Sequence, residues 1–216
     1  MAKQATKVLS KSKASSISKR TTLRDKTARR KRSENRLLLA AGFIAVAMVA
    51  AVIYFNVRGT LPVGSEEILA SLGNMHIEQN SPSPMTYNST PPTSGPHYGG
   101  IARWGIHADP IRYEQLIHNL EDGGVVVYYQ CENGCPEVEE QLQEVIALYE
   151  RAGSHVILVP NDPTWTIGSN SRQLHQDMET RIALTAWQRI DKFNEFDAER
   201  IRSFIDRYEG IDHHAG

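Results

Sequence analysis

The sequence predicts an α+β fold, a small mixed sheet with flanking helices, carried after a single transmembrane helix. Three observations predict it. VVVYY (125–129) and HVILVP (155–160) are β-branched and aromatic runs without alternation, the pattern of strands covered on both faces. The segments following Pro136 and Asp197 repeat apolar residues at helical spacing. Residues 37–55, LLLAAGFIAVAMVAAVIYF, form a nineteen-residue run with no charge, close to the length that spans a hydrocarbon core of about 30 Å.

Charge divides the chain in the same place. Residues 1–36 hold thirteen Lys/Arg against Asp25 and Glu34, a net of +11, whereas the rest holds eleven against twenty-three acids, a net of −12. The first segment has too few apolar residues to offset its ordering entropy and is expected to be disordered. Its basic run ARRKR (28–32) is better explained by topology and anionic lipid than by nucleic acid, because it stands beside the apolar run. Thirteen cations before that run and a lone Arg58 just beyond it predict a cytoplasmic N-terminus and an extracytoplasmic body. Tyr54 and Phe55 stand where interfacial aromatics belong, and no small-x-small cleavage site follows, so an uncleaved anchor is expected.

Residues 56–72 read as a spacer, 73–209 as the folded domain and 210–216 as a tail. Ser65 and the two acids after it suggest a helix of about two turns ending at Gly73. Between 80 and 96 stand five of the ten prolines, which demand an extended or turning loop. IRYEQLIHNLED (111–122) aligns Ile111, Leu116, Ile117 and Leu120 on one helical side, and Gly123-Gly124 stops it. Pro136 opens a helix whose early acids face the positive end of its dipole, with Val138, Leu142, Val145, Ile146 and Tyr149 on one face and Gly153 at its end. A third strand is expected at 181–187 and a last amphipathic helix at 197–208. The order strand, Cys-turn, helix, strand, strand, helix suits an α/β or α+β sandwich; α+β is the class expected, with a thioredoxin-like arrangement as one form of the C-terminal half.

The residues able to do chemistry concentrate between Pro91 and Pro136. Cys131 and Cys135 bracket a Glu-Asn-Gly turn between a buried strand and a helix N-terminus. Three readings stay open for them: a structural disulfide, a soft-metal site, or a redox pair whose thiols the helix terminus acidifies. The strand–CxxxCP–helix order is similar to that of the copper-chaperone proteins of cytochrome oxidase assembly, a resemblance confined to that motif. His97, His107 and His118 occupy successive segments, with His76, Met75 and Met85 upstream and Glu121 and Asp122 just beyond. Imidazole with carboxylate or thioether suits copper or zinc. The terminal pair His213-His214 is expected to be solvated. Thr93 and Ser94 near His97 do not sit in a strand–elbow–helix setting, so no catalytic residue is assigned. No Gly-rich phosphate loop is present, and nucleic-acid binding is not expected.

Tyr87, PPTSGPHY (91–98), Trp104-Gly105, HNLEDGGVVVYY (118–129) and IALTAW (182–187) together resemble the bacterial family named domain of unknown function 3105, over residues 73–209. That resemblance implies a membrane-anchored or exported domain. The family pattern usually has His-x-Leu-Glu-His-Gly where this chain has His118-Asn119-Leu120-Glu121-Asp122-Gly123. If the second histidine is a ligand in the family, Asp122 either supplies a carboxylate in its place, hardening the site toward zinc, or marks its loss.

The expectation is therefore a single-pass membrane protein whose extracytoplasmic domain binds copper or zinc through residues drawn from His97, His107, His118, Glu121 and Asp122. Its partners would be membrane lipids, through the span and the basic segment, and a protein of the cell envelope. The alternatives are a non-catalytic structural or interaction module, and a thiol-redox protein using Cys131 and Cys135.

Overall fold

The computed structural model describes residues 35–36, 38–54, 64–169 and 171–214. The chain divides into two compact units, residues 1–60 and 61–216. In the first, residues 38–54 are helical and exposed, with Leu38, Phe43, Val46, Val49 and Ile53 among the uncovered apolar side chains. Among the described residues, no helix is long and apolar enough to cross a membrane. The expected span includes residues 37 and 55, which lie outside the described residues, as do residues 1–34 of the segment expected to be disordered and residues 56–63 of the spacer.

The second unit runs β1 (Glu67–Ile68), β2 (His76–Ile77), β3 (His97–Tyr98), β4 (Gly105–Ile106), α1 (Tyr113–Glu121), β5 (Val125–Tyr129), α2 (Pro136–Ala152), β6 (Val156–Pro160), β7 (Thr166–Ile167), β8 (Arg172–Gln173), β9 (Ile182–Ala186), β10 (Arg189–Phe193) and α3 (Ala198–Tyr208). Six strands form one mixed sheet in the order β1-β10-β9-β5-β6-β4. β4, β6 and β5 are mutually parallel, and β9, β10 and β1 continue the sheet in antiparallel steps. β2 pairs with β3 in a separate parallel ribbon, and β7 with β8 in an antiparallel one.

Helices cover both faces, which is why the central strands lack alternation. Val125, Val127, Val156, Leu158, Ile182 and Leu184 turn toward Leu142 and Ile146 of α2 and Ile201, Phe204 and Ile205 of α3. Val126, Tyr128, Ile157, Val159 and Ala183 turn the other way, toward Leu116, Ile117 and Leu120 of α1. Fully burying each of these Val, Leu, Ile or Phe side chains contributes about 1.5–3 kcal/mol.

The helix signals act as expected. Pro136 starts α2 with Glu137 and Glu139 in its first turn, and Gly153, at φ 74°, closes it in the left-handed conformation. Asp197 caps α3 by accepting from the Glu199 and Arg200 amides.

Two elements differ from expectation. The helix expected after Ser65 is absent: Glu66 is buried, accepting from the Tyr208 hydroxyl at 2.6 Å and from the Gly64 amide, while Glu67 and Ile68 pair with Ile190 and Arg189 at the sheet edge. Ladder hydrogen bonds and a buried carboxylate outweigh a local helix start that has no apolar face to bury. The strand β10 is not expected from sequence, because its RIDKF carries three charges. Asp191 is nevertheless buried, because Arg200 donates to both of its oxygens.

Candidate metal centre

The proline-rich segment leads into β3 and so carries His97. Gly95 has φ +116°, and a Cβ there would stand 3.1 Å from the Tyr87 ring and 3.2 Å from Leu72. Only glycine gives that turn at that closeness. Around it the Tyr87 hydroxyl donates to the Pro96 carbonyl, Ser94 Oγ accepts from the Leu72 amide, and the Gly95 amide donates to the Gly73 carbonyl. The PPTSGPH motif is thus a self-bonded loop ending in β3. Ser94 is fully buried within it and engaged by the Leu72 amide.

β2 and β3 pair in parallel with His76 opposite His97, so both rings project to one side. On α1, His118 and Glu121 are three apart and share a face. The fold brings the four together: a ligand atom from each of His76, His97, His118 and Glu121 lies within 4.8 Å of the others. His97 is 0% exposed and Glu121 1%, whereas the His76 side chain is 52% exposed and opens the cluster to solvent. The ring of His76 stacks on His118 at 5.1 Å, and His97 meets both edge-on.

Hydrogen bonding fixes which atoms face inward. His97 Nδ1 lies 2.8 Å from the Gly95 carbonyl and His118 Nδ1 lies 2.7 Å from the Tyr98 carbonyl. A carbonyl only accepts, so both Nδ1 atoms carry the proton and, in the neutral rings, both Nε2 atoms present a lone pair. Burial pushes the His97 pKa down, keeping it neutral, the form that ligates metals. Glu121 Oε1 accepts from Asn74 Nδ2 at 2.8 Å, which leaves Oε2 pointing at the histidines. Its Oε2 stands 2.9 Å from His97 Nε2 and 3.8 Å from His76 Nε2. Yet His97 Nε2 and Glu121 Oε2 are both buried and form no aligned hydrogen bond. An imidazole nitrogen and a carboxyl oxygen, both buried and aimed at one point without a hydrogen bond, are an arrangement a cation would satisfy.

A second set lies beside the first: His118, Asp122 and His214. Asp122 Oδ1 is 3.7 Å from His118 Nε2 and 3.4 Å from His214 Nε2. Asp212 accepts from His214 Nδ1 at 2.9 Å and holds the His214 pKa above its usual value.

Of the residues singled out from sequence, His97, His118 and Glu121 meet in the first set, and Asp122 enters the second. His107 goes elsewhere: its Nε2 lies 2.7 Å from the Arg103 carbonyl, which occupies it within its own loop. Cys131 and Cys135 are joined as a disulfide, which in this state leaves no thiolate for a soft ion. His76, named from sequence only as lying upstream of the histidine set, His214, expected to be merely solvated, and Asn74, which carries no sequence mark, all join the sites. His76 becomes a neighbour only through the β2–β3 register. His214 is brought back by the segment after α3, where the Gly210 amide donates to the Gly123 carbonyl and the His213 amide to the Glu121 carbonyl.

Residues 76–215 match a family described as "Protein of unknown function (DUF3105)". Both sets of candidate ligands fall inside the match, including His214, beyond the point where the motif resemblance ends. No curated protein and no solved structure matches the chain.

Proposed function

The chain belongs to the DUF3105 family, a classification that assigns no activity, and from its side chains we propose that the domain binds one divalent transition metal ion through His76, His97, His118 and Glu121. The observation that carries this is the pair of buried, unpartnered atoms, His97 Nε2 and Glu121 Oε2, facing two further imidazoles. Three imidazoles with one carboxylate and no thiolate or thioether suit zinc or Cu(II) and disfavour Cu(I). Equilibrium dialysis of the full chain against micromolar zinc and copper tests it. One bound ion per chain is expected, and His76→Ala, at a half-exposed position that the core does not need, weakens binding. Absence of stoichiometric binding of either metal overturns the reading.

The same proposal places the domain outside the cytoplasmic membrane, anchored by residues 37–55. Support comes from the uncharged run itself, from the cations concentrated before it, and from the exposed apolar side chains of helix 38–54. Protease added to intact cells should digest the C-terminal domain and spare the N-terminal segment. Envelope lipid and an envelope protein remain the expected partners.

A second reading, thiol–disulfide exchange, is favoured by one observation: the disulfide lines a cleft of ≈ 620 Å³ with Gln130, Glu137, Thr180 and Arg181. Both cysteines are partly accessible, Cys131 two residues beyond β5 and Cys135 at the N-cap of α2. The succession β4-β6-β5-β9-β10 supports a thioredoxin-like layout of this half. In that chemistry a thiolate of a partner dithiol attacks one sulfur and expels the other as a thiolate. The partner's second thiol then closes the partner's disulfide, so this chain gains two electrons and two protons. Alkylation of the native protein after mild reduction checks it: inert cysteines mean a staple.

A further inference from the structure

The two ligand sets share one atom. His118 Nδ1 is committed to the Tyr98 carbonyl, so only its Nε2 is available, and both sets require it. One nitrogen lone pair serves one ion at a time. We infer that His118, Asp122 and His214 form an outer, transient site for the same divalent cation, from which His118 hands the ion to the inner site. This rests on the reading that His76, His97, His118 and Glu121 hold a metal.

Both sets reach solvent: His97 Nε2 and Glu121 Oε2 are buried, the inner set opens through His76, whose side chain is 52% exposed, and the outer set through His214 at 44% and Asp122 at 29%. Carboxylates crowd this face: Asp212 engages His214 Nδ1, Asp122 lies 3.4 Å from its Nε2, and Glu121 Oε2 lies 3.7 Å from it. These carboxylates draw an incoming cation to the His214 side of the cluster. Glu121 Oε2 stands beside both His97 and His214, so the ion moves between sets with a carboxylate oxygen in reach throughout.

The segment bearing His214 is built into position. It is fastened by the main-chain bonds from Gly210 to Gly123 and from His213 to Glu121, and His213 stacks on Trp187 at 5.9 Å. Gly123 permits the approach: a Cβ there would lie 2.9 Å from the Ile211 main chain.

The test uses the full chain, with zinc as the probe. Loading is followed by stopped-flow mixing, release by transfer to a chromophoric chelator, and affinity by equilibrium competition. His214→Ala, Asp122→Asn and removal of residues 210–216 are each expected to slow loading and release at least tenfold. Affinity should change less than threefold, and the stoichiometry should remain one. Unchanged rates in all three variants overturn the relay while leaving the inner site standing. So does a tenfold loss of affinity in His214→Ala, which makes His214 a permanent ligand, or a second zinc bound simultaneously, which means His118 is not shared. If the wild-type chain binds no zinc or copper, the inner-site reading fails and this inference fails with it.

Discussion

His97 and His118 reach the cluster as oriented neutral imidazoles because each gives its Nδ1 proton to a main-chain carbonyl, and Glu121 is oriented likewise by Asn74. Such outer partners typically matter 10–100-fold in metal affinity. Asn74→Ala should weaken zinc binding by about tenfold with little change in melting temperature, since Asn74 is exposed; titration against a competing chelator measures it. His175 shows the other use of a histidine. Its Nδ1 accepts from the Asp162 amide, its Nε2 donates to the Ile111 carbonyl, and it stacks on Tyr113 at 4.4 Å. Burial pushes its pKa down to about 4, against about 6.5 in an unfolded chain. Between those values the unfolded chain takes up a proton that the folded chain refuses, so stability falls as pH drops through that window. The loss is about 3 kcal/mol, complete near pH 4. Urea unfolding from pH 7 to 4 should show this slope, and His175→Asn should remove it while lowering stability at pH 7.

At the scale of elements, legibility followed length. α2 and α3 carry period, cap and stop signals over 17 and 11 residues, and the sequence marks both. Asp197 is worth testing, because it meets two amides at the start of α3: Asp197→Ala should cost about 1 kcal/mol in urea unfolding. β2 and β3 are two residues each, too short for any period, and their pairing is non-local. His76 therefore carries no local mark of its role, whereas His118 and Glu121 share a helix face that spacing alone displays. The helix expected after Ser65 failed for the same reason in reverse: its local signals were plausible, and a buried contact with Tyr208, distant in sequence, outweighed them.

For the domain as a whole, the inner site joins a ribbon to a helix of the main sheet layer, so an ion there ties β2 and β3 to α1. A metal that binds only the folded chain stabilises it by about 2.7 kcal/mol at one hundred times its dissociation constant. Zinc at that excess should raise the melting temperature by roughly 5–10 °C, reversed by chelator, in differential scanning calorimetry. His76→Ala should shrink the shift without altering the midpoint of the metal-free protein.

By itself the sequence determined the α+β class, the doubly covered strands, two helices with their ends, and the family, because each is written in local periodicity, punctuation or a contiguous motif. Only the tertiary structure decided which histidines converge. It drew in His76 through a strand pairing and His214 through a segment laid over Gly123, and it sent His107 to its own loop. A ligand set is a matter of distances between atoms far apart along the chain. Those distances are set by burial and main-chain hydrogen bonding across the whole domain, which no short window of residues contains.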